Sequence, residues 1–142
     1  MNEPETIREI LETTKTIAVV GLSDRPGRAS LGVSKFMQQQ GYRIIPVNPL
    51  VGTVLGERAY ANLDEAAAAN DGNIDLVNVF RAHQFVPEIV TDVVRLKIPG
   101  LWLQEGVCHK EAAQRAEDAG VRVVMDRCIM KHRMAAGWKA RS

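Results

Sequence analysis

The stretch Thr16–Ser30, TIAVVGLSDRPGRAS, joins a short β-branched apolar run to a helical pattern through a loop rich in polar and cationic residues. The five residues TIAVV lack strict polar alternation, which predicts a strand buried on both faces. Gly21, directly after that run, permits a tight turn and a close approach of another backbone. The helix that follows presents free N–H groups and a partial positive charge, an arrangement suited to phosphate. Ser23 is a hydroxyl donor, and Ser30 is expected as the helix N-cap or a second donor. Arg25 and Arg28 add two planar guanidinium groups, each able to hold two phosphate oxygens. From Gly21 to Ala29 the loop runs nine residues, longer than the G-x-G-x-x-G turn of dinucleotide sites. The length and the two arginines suit a ligand with more phosphate charge than NAD. The bland alternative is a solvated turn whose arginines meet only water.

Similar apolar runs recur at Arg43–Val47 (RIIPV), Ile74–Phe80 (IDLVNVF), Gly100–Leu103 (GLWL) and Val121–Met125 (VRVVM). Helical spacing fills the intervals. Ile7, Ile10 and Leu11 share one face of a first helix, and Val33, Phe36 and Met37 share a face of a second. Phe85, Ile89, Val93 and Leu96 mark a helix beginning near Pro87, and Lys110–Ala119 forms another that Gly120 should close. The Ala-rich segment Asp64–Ala69 predicts a short helix of plain composition. Strands alternating with helices at this spacing imply βαβ units with right-handed crossovers. The expectation is one Rossmann-like three-layer α/β domain over residues 1–142, with a five-stranded parallel sheet in the order 3-2-1-4-5. Such sheets bind ligands beyond the carboxyl ends of their strands, where the strand order reverses. The loops after Val20, Val47, Phe80 and Leu103 are therefore the ones that matter.

The composition narrows the partners. The chain has 142 residues, 46% apolar and 25% charged, with a net charge of +1, which fits one globular domain with a core of its own. That balance gives no reason to expect a nucleic-acid or membrane-surface binder, since both need a net basic face. The N-terminal MNEPETIREILETT is acidic and helical in pattern with no apolar h-region, and no run approaches the ~18 apolar residues of a membrane span. With two cysteines, Cys108 and Cys128, the expectation is a soluble cytoplasmic protein in a reducing compartment.

An NAD site places Asp or Glu at the end of the second strand to accept from the ribose 2′-OH. Here that strand ends Pro46-Val47-Asn48-Pro49, with no acid. Asn48 can pair with an amide, a hydroxyl or a base edge, and the prolines make a rigid wall for a flat group. The alternative is a Pro-stabilised turn in which Asn48 bonds its own backbone.

Taken together, VVGLSDRPGRAS, GYRIIPVNP, GERAYANLDE, DLVNVFR, LQEGV and AGVRVVMDRC resemble the small stand-alone CoA-binding domain proteins. These are similar to the N-terminal domain of the succinyl-CoA synthetase α subunit. The likeness runs from about Ile7 to His132, with the motifs in the family's order. It implies that coenzyme A, or an acyl-CoA, lies across the carboxyl edge of the sheet. Gly21, Ser23, Arg25, Arg28 and Ser30 would surround its phosphates, and Asn48 and Pro49 would border the adenosine. Phe80 and Arg81 would flank the adenine or pantetheine, and Gln104, Glu105 and Gly106 would form the opposite rim. The 3′-phosphate of CoA would account for the extra arginines of the first loop. Two departures stand out. His83 occupies a position where family members often carry Pro, and the synthetase's phosphohistidine belongs to a second domain that this sequence does not contain. The resemblance thus implies binding without ligase chemistry.

Other chemistry is weaker. Cys108-His109 and Cys128-x-x-x-His132 invite a zinc reading, but structural zinc sites use tighter ligand pairs, so no metal is expected. Cys128 beside Arg127 raises the idea of an activated thiol forming a mixed disulfide with CoA, against the plainer reading of a packed cysteine. His83, His109 and His132 are scattered without a nucleophilic triad, and Glu105 and Glu111 are read as rim or helix-start residues. Trp102 is expected in the core and Trp138 in C-terminal packing. The resulting expectation is a non-catalytic CoA-binding module, acting as a homodimer or beside a partner enzyme. The alternatives are a nicotinamide-dependent oxidoreductase or a CoA-using acyltransfer enzyme.

Overall fold

The computed structural model describes residues 1–137; Trp138 lies outside them. The five anticipated strands form: β1 (Thr16–Val20), β2 (Arg43–Val47), β5 (Leu76–Val79), β6 (Gly100–Leu103) and β7 (Arg122–Met125). They pair in parallel throughout. Successive side chains along each strand point to opposite faces, and both faces are covered, so the strands read as continuous apolar runs. Ile17 and Val19 join one buried cluster with Ile44, Leu76, Trp102 and Val124. Ala18 and Val20 join the other with Ile45, Val77, Leu101 and Val123.

Helices α1 (Pro4–Thr13), α2 (Ala29–Gln39) and α6 (Ile129–Ala135) close the first face, through Ile10, Leu11, Val33, Met37 and Ile129. The second is closed by α3 (Leu63–Ala69), α4 (Val86–Arg95) and α5 (Lys110–Asp118), through Leu63, Val86, Val90, Val93 and Ala113. This is the expected three-layer, doubly wound α/β domain. Gly120 ends α5 as anticipated. At φ +91° it donates to the Glu117 carbonyl (2.9 Å) while Val121 donates to that of Ala116 (3.0 Å), the two bonds of a Schellman cap.

The strand order differs from expectation. The sheet runs β2-β1-β5-β6-β7, which is 2-1-3-4-5 among the five main strands, not 3-2-1-4-5. The reason lies in Pro46. Its carbonyl points away from β1 and accepts from the Tyr60 N–H (3.0 Å), so its missing N–H also faces that outer side. A further main strand there would lack a ladder donor, whereas an edge position tolerates Pro. The third main strand accordingly pairs on the opposite side of β1. The edge left at β2 is partly covered by Tyr60, which also accepts from the Asn48 N–H (2.8 Å).

Tyr60 reaches that edge through a small hairpin of β3 (Thr53–Val54) and β4 (Glu57–Arg58) that periodicity does not reveal. Strands of two residues are too short to show a pattern. Leu55 and Gly56 both take positive φ, +56° and +75°, as a two-residue turn of type I′ requires.

Trp102 is wholly buried on β6, and its indole N–H donates to the Arg127 carbonyl at 2.8 Å. It also forms a T-shaped pair with the His132 ring, with centroids 5.8 Å apart. Trp102→Ala removes this packing and leaves a cavity, so chemical denaturation should show a loss of about 3–5 kcal/mol.

Candidate functional site

The order reverses between β1 and β5, and the loops leaving those two strands diverge to opposite faces. The crevice they open is where a doubly wound sheet receives a ligand. Gly21 stands at its base with φ +89°, and its N–H donates to the Val47 carbonyl at 2.9 Å. A Cβ at this position would lie 2.7 Å from the Phe80 carbonyl oxygen and 3.1 Å from Arg81 Cδ. Glycine is therefore required twice, by conformation and by space.

Beyond Gly21 the loop is braced from within. The Ser23 N–H donates to Ser30 Oγ (3.0 Å), and the Arg25 N–H donates to Ser23 Oγ (3.1 Å). Both hydroxyl oxygens act as acceptors inside the loop, which leaves each hydroxyl hydrogen available for a ligand. Ser30 is not the N-cap. That position belongs to Arg28, whose side chain makes no capping bond, while Ser30 is the second residue of α2 and buried. The first turn of α2 thus keeps N–H groups that the helix cannot satisfy itself. Arg25 and Arg28 are exposed beside it, and among the described residues no acid pairs with either.

A cleft of about 450 Å³ occupies this corner, lined by Gly21, Ser23, Arg25, Arg28, Ser30 and Asn48, with Phe80 at one side. Asp24, Leu50 and Val51 also line it. A middle compartment of about 260 Å³ shares Gly21, Asn48, Leu50 and Phe80 with the cleft and adds Pro49 and Arg81. An inner compartment of about 150 Å³ shares Val47, Pro49 and Arg81 with the middle one and reaches Asn62, Glu88 and Asp92. The three form a succession across the carboxyl edge of β2, β1 and β5.

Asn48 lines the cleft and is engaged by backbone at both polar ends. Its Nδ2 donates to the Leu22 carbonyl (3.0 Å) and its Oδ1 accepts from the Leu50 N–H (3.0 Å). It ties the two loops together and forms the turn on its own backbone at the border of the cleft. Gln104, Glu105 and Gly106 stand apart from all three compartments. Gln104 is buried, and its Oε1 accepts from the Ile129 N–H (3.0 Å) at the start of α6. Glu105 pairs with Lys131 (3.1 Å), and the Gly106 N–H donates to Asp126 Oδ1 (2.7 Å). Together these contacts brace the end of β6 against α6 and the segment leading into it.

Cys128, His109 and His132 have structural surroundings. Cys108 is exposed, whereas Cys128 is buried at the N-cap of α6. His109 caps α5, its Nδ1 accepting from the Ala112 N–H (3.1 Å). Burial, and then the nearby Arg127 charge, hold the His132 pKa below its usual value. Among the described residues no group of three or more His, Cys, Asp or Glu side chains is placed to hold a metal.

Leu50, Asn62 and Glu88 were not singled out from sequence. Leu50 is 91% exposed, and its only signal was its place after a rigid Pro turn. Asn62 is the N-cap of α3, accepting from the Glu65 N–H (2.9 Å). The N-x-x-E capping pattern could have marked a helix start at the ligand edge.

A family model described as a CoA binding domain matches residues 15–134. An uncharacterized protein of Bacillus subtilis, YneT, is 47% identical over 123 residues, 87% of this chain and 88% of that protein. A solved hypothetical protein from Pyrococcus horikoshii OT3 superposes with a TM-score of 0.85 at 32% identity, covering 92% of this chain and 89% of the other. A solved protein from Thermus thermophilus gives 0.81 at 34% identity, over 95% of this chain and 98% of that one.

The constraint at Gly21 has a direct check. Gly21→Ala should cost about 1–3 kcal/mol in denaturant unfolding, because the new methyl group meets the Phe80 carbonyl in a backbone region that disfavours it.

Proposed function

The chain belongs to the CoA-binding domain family, and from that premise we propose that it binds coenzyme A or an acyl-CoA across the carboxyl edge of its sheet. The pyrophosphate lies in the main cleft, against the free amides of α2, the Ser23 and Ser30 hydroxyls, and the guanidinium groups of Arg25 and Arg28. The adenosine extends past Pro49 into the middle and inner compartments. The observation that carries this reading is an uncapped helix N-terminus with two arginines, free of acidic partners among the described residues, opening onto one cleft at the strand-order reversal. Helix amides, hydroxyls and arginine forks are all donors, and a diphosphate supplies only acceptors.

The nicotinamide alternative finds less support. The end of β2 carries Asn48, and both polar ends of that side chain are engaged by backbone. The role we assign is therefore binding: delivering or buffering the coenzyme, as a homodimer or beside a partner enzyme. A cytoplasmic setting belongs to the same proposal, supported by two cysteines that remain free thiols. No described helix is long and apolar enough to cross a membrane.

Calorimetric titration with CoA and with NAD tests the proposal. CoA should bind with clear preference, and Arg28→Ala should weaken it by about 1.5–3 kcal/mol, the worth of a hydrogen bond to a charged group. A preference for NAD, or no heat with CoA at micromolar protein, would overturn the assignment. Unchanged affinity in Arg28→Ala would remove that residue from the site.

A further inference from the structure

Arg81 is held in an unusual way. Its side chain passes over Gly21, where an added Cβ would stand 3.1 Å from Arg81 Cδ. Its guanidinium carbon lies 3.9 Å from the centroid of the Phe85 ring. Among the described residues no carboxylate pairs with it, although Glu88 and Asp92 line the same inner compartment. An arginine stacked on an aromatic face is fixed in plane while its N–H edge stays available to an anion. An arginine already clamped by a carboxylate would have to break that pair first.

Its place among the compartments gives this edge a target. Arg25 and Arg28 line the main cleft, and Arg81 lines the middle and inner compartments. Among the described residues it is the one cationic side chain lining either of those two. In coenzyme A the ribose joins the adenine to the pyrophosphate and bears the 3′-phosphate. With the pyrophosphate in the main cleft and the adenine past Pro49, the ribose crosses the middle compartment. Building on the function proposed above, we propose that Arg81 is the residue that reads the 3′-phosphate and so distinguishes CoA from dephospho-CoA. Arg25 and Arg28 then serve the pyrophosphate that both ligands share. This departs from the simpler expectation that the additional arginines of the first loop answer the additional phosphate.

The test is a matrix of affinities for CoA and dephospho-CoA, measured by titration on the unmodified chain and on Arg81→Gln, Arg81→Lys and Arg28→Gln. The unmodified chain should prefer CoA by about 10- to 100-fold, the range of one charge-assisted contact. Arg81→Gln should erase that preference and leave dephospho-CoA affinity within about threefold. Arg81→Lys, which keeps the charge but loses the planar fork, should retain part of it. Arg28→Gln should weaken both ligands by the same factor and leave their ratio unchanged. If Arg81→Gln binds both ligands but still discriminates between them, or weakens both equally, Arg81 does not read the 3′-phosphate. If neither ligand binds the unmodified chain, the CoA assignment itself fails, and this one with it.

Discussion

The carboxyl edge of the sheet is organised around the missing side chain of Gly21. At that point the backbone leaving β1 passes so close to the Phe80 carbonyl that a Cβ would lie 2.7 Å from it. The Gly21 N–H meanwhile donates to Val47 at the end of β2. Three strand ends are thereby drawn to one place. The room left by the absent Cβ also lets Arg81 lie across the crossing toward Phe85. A larger residue would push the β1 loop and the β5 loop apart, and the main and middle compartments, which share Gly21 and Phe80, would no longer adjoin.

From this point the geometry propagates in two directions. Toward α2, the serine-to-backbone bonds hold the loop so that the helix N-terminus and two arginines face one cleft. Toward β2, Asn48 bridges the first and second loops by bonding Leu22 and Leu50. Neither arm uses a charged side chain to hold its shape. That matters because an internal ion pair would compete with an anionic ligand for the same arginines.

The fold was legible wherever the signal was local and repeated. TIAVV and the similar runs marked buried strands because both faces of a parallel sheet are covered, and Gly120 marked a helix end that needs positive φ. Neighbour order was not legible from periodicity, which says that a strand is buried but not what lies beside it. The clue was present in Pro46, whose absent donor suits the outer edge of β2. The first loop was legible as a candidate site, and its residues line one cleft, because its donors are contiguous in sequence. The inner compartment was not, because Asn62 and Glu88 meet Arg81 only through the fold. Of the two parts open to Ser30, N-cap or second donor, the cap belongs to Arg28, since a hydroxyl near an N-terminus resembles a cap whether or not it occupies that position. The bond from the Ile129 N–H to Gln104 was not legible either, because it joins residues 25 apart in sequence.

The most direct test of the central claim is the amide spectrum of the isotopically labelled chain as coenzyme A is added. The account predicts that the largest shifts fall on Gly21, Ser23, Ala29 and Ser30, with a second group at Phe80 and Arg81. Shifts confined to the amino-terminal edge of the sheet, or no shifts at millimolar ligand, would contradict it.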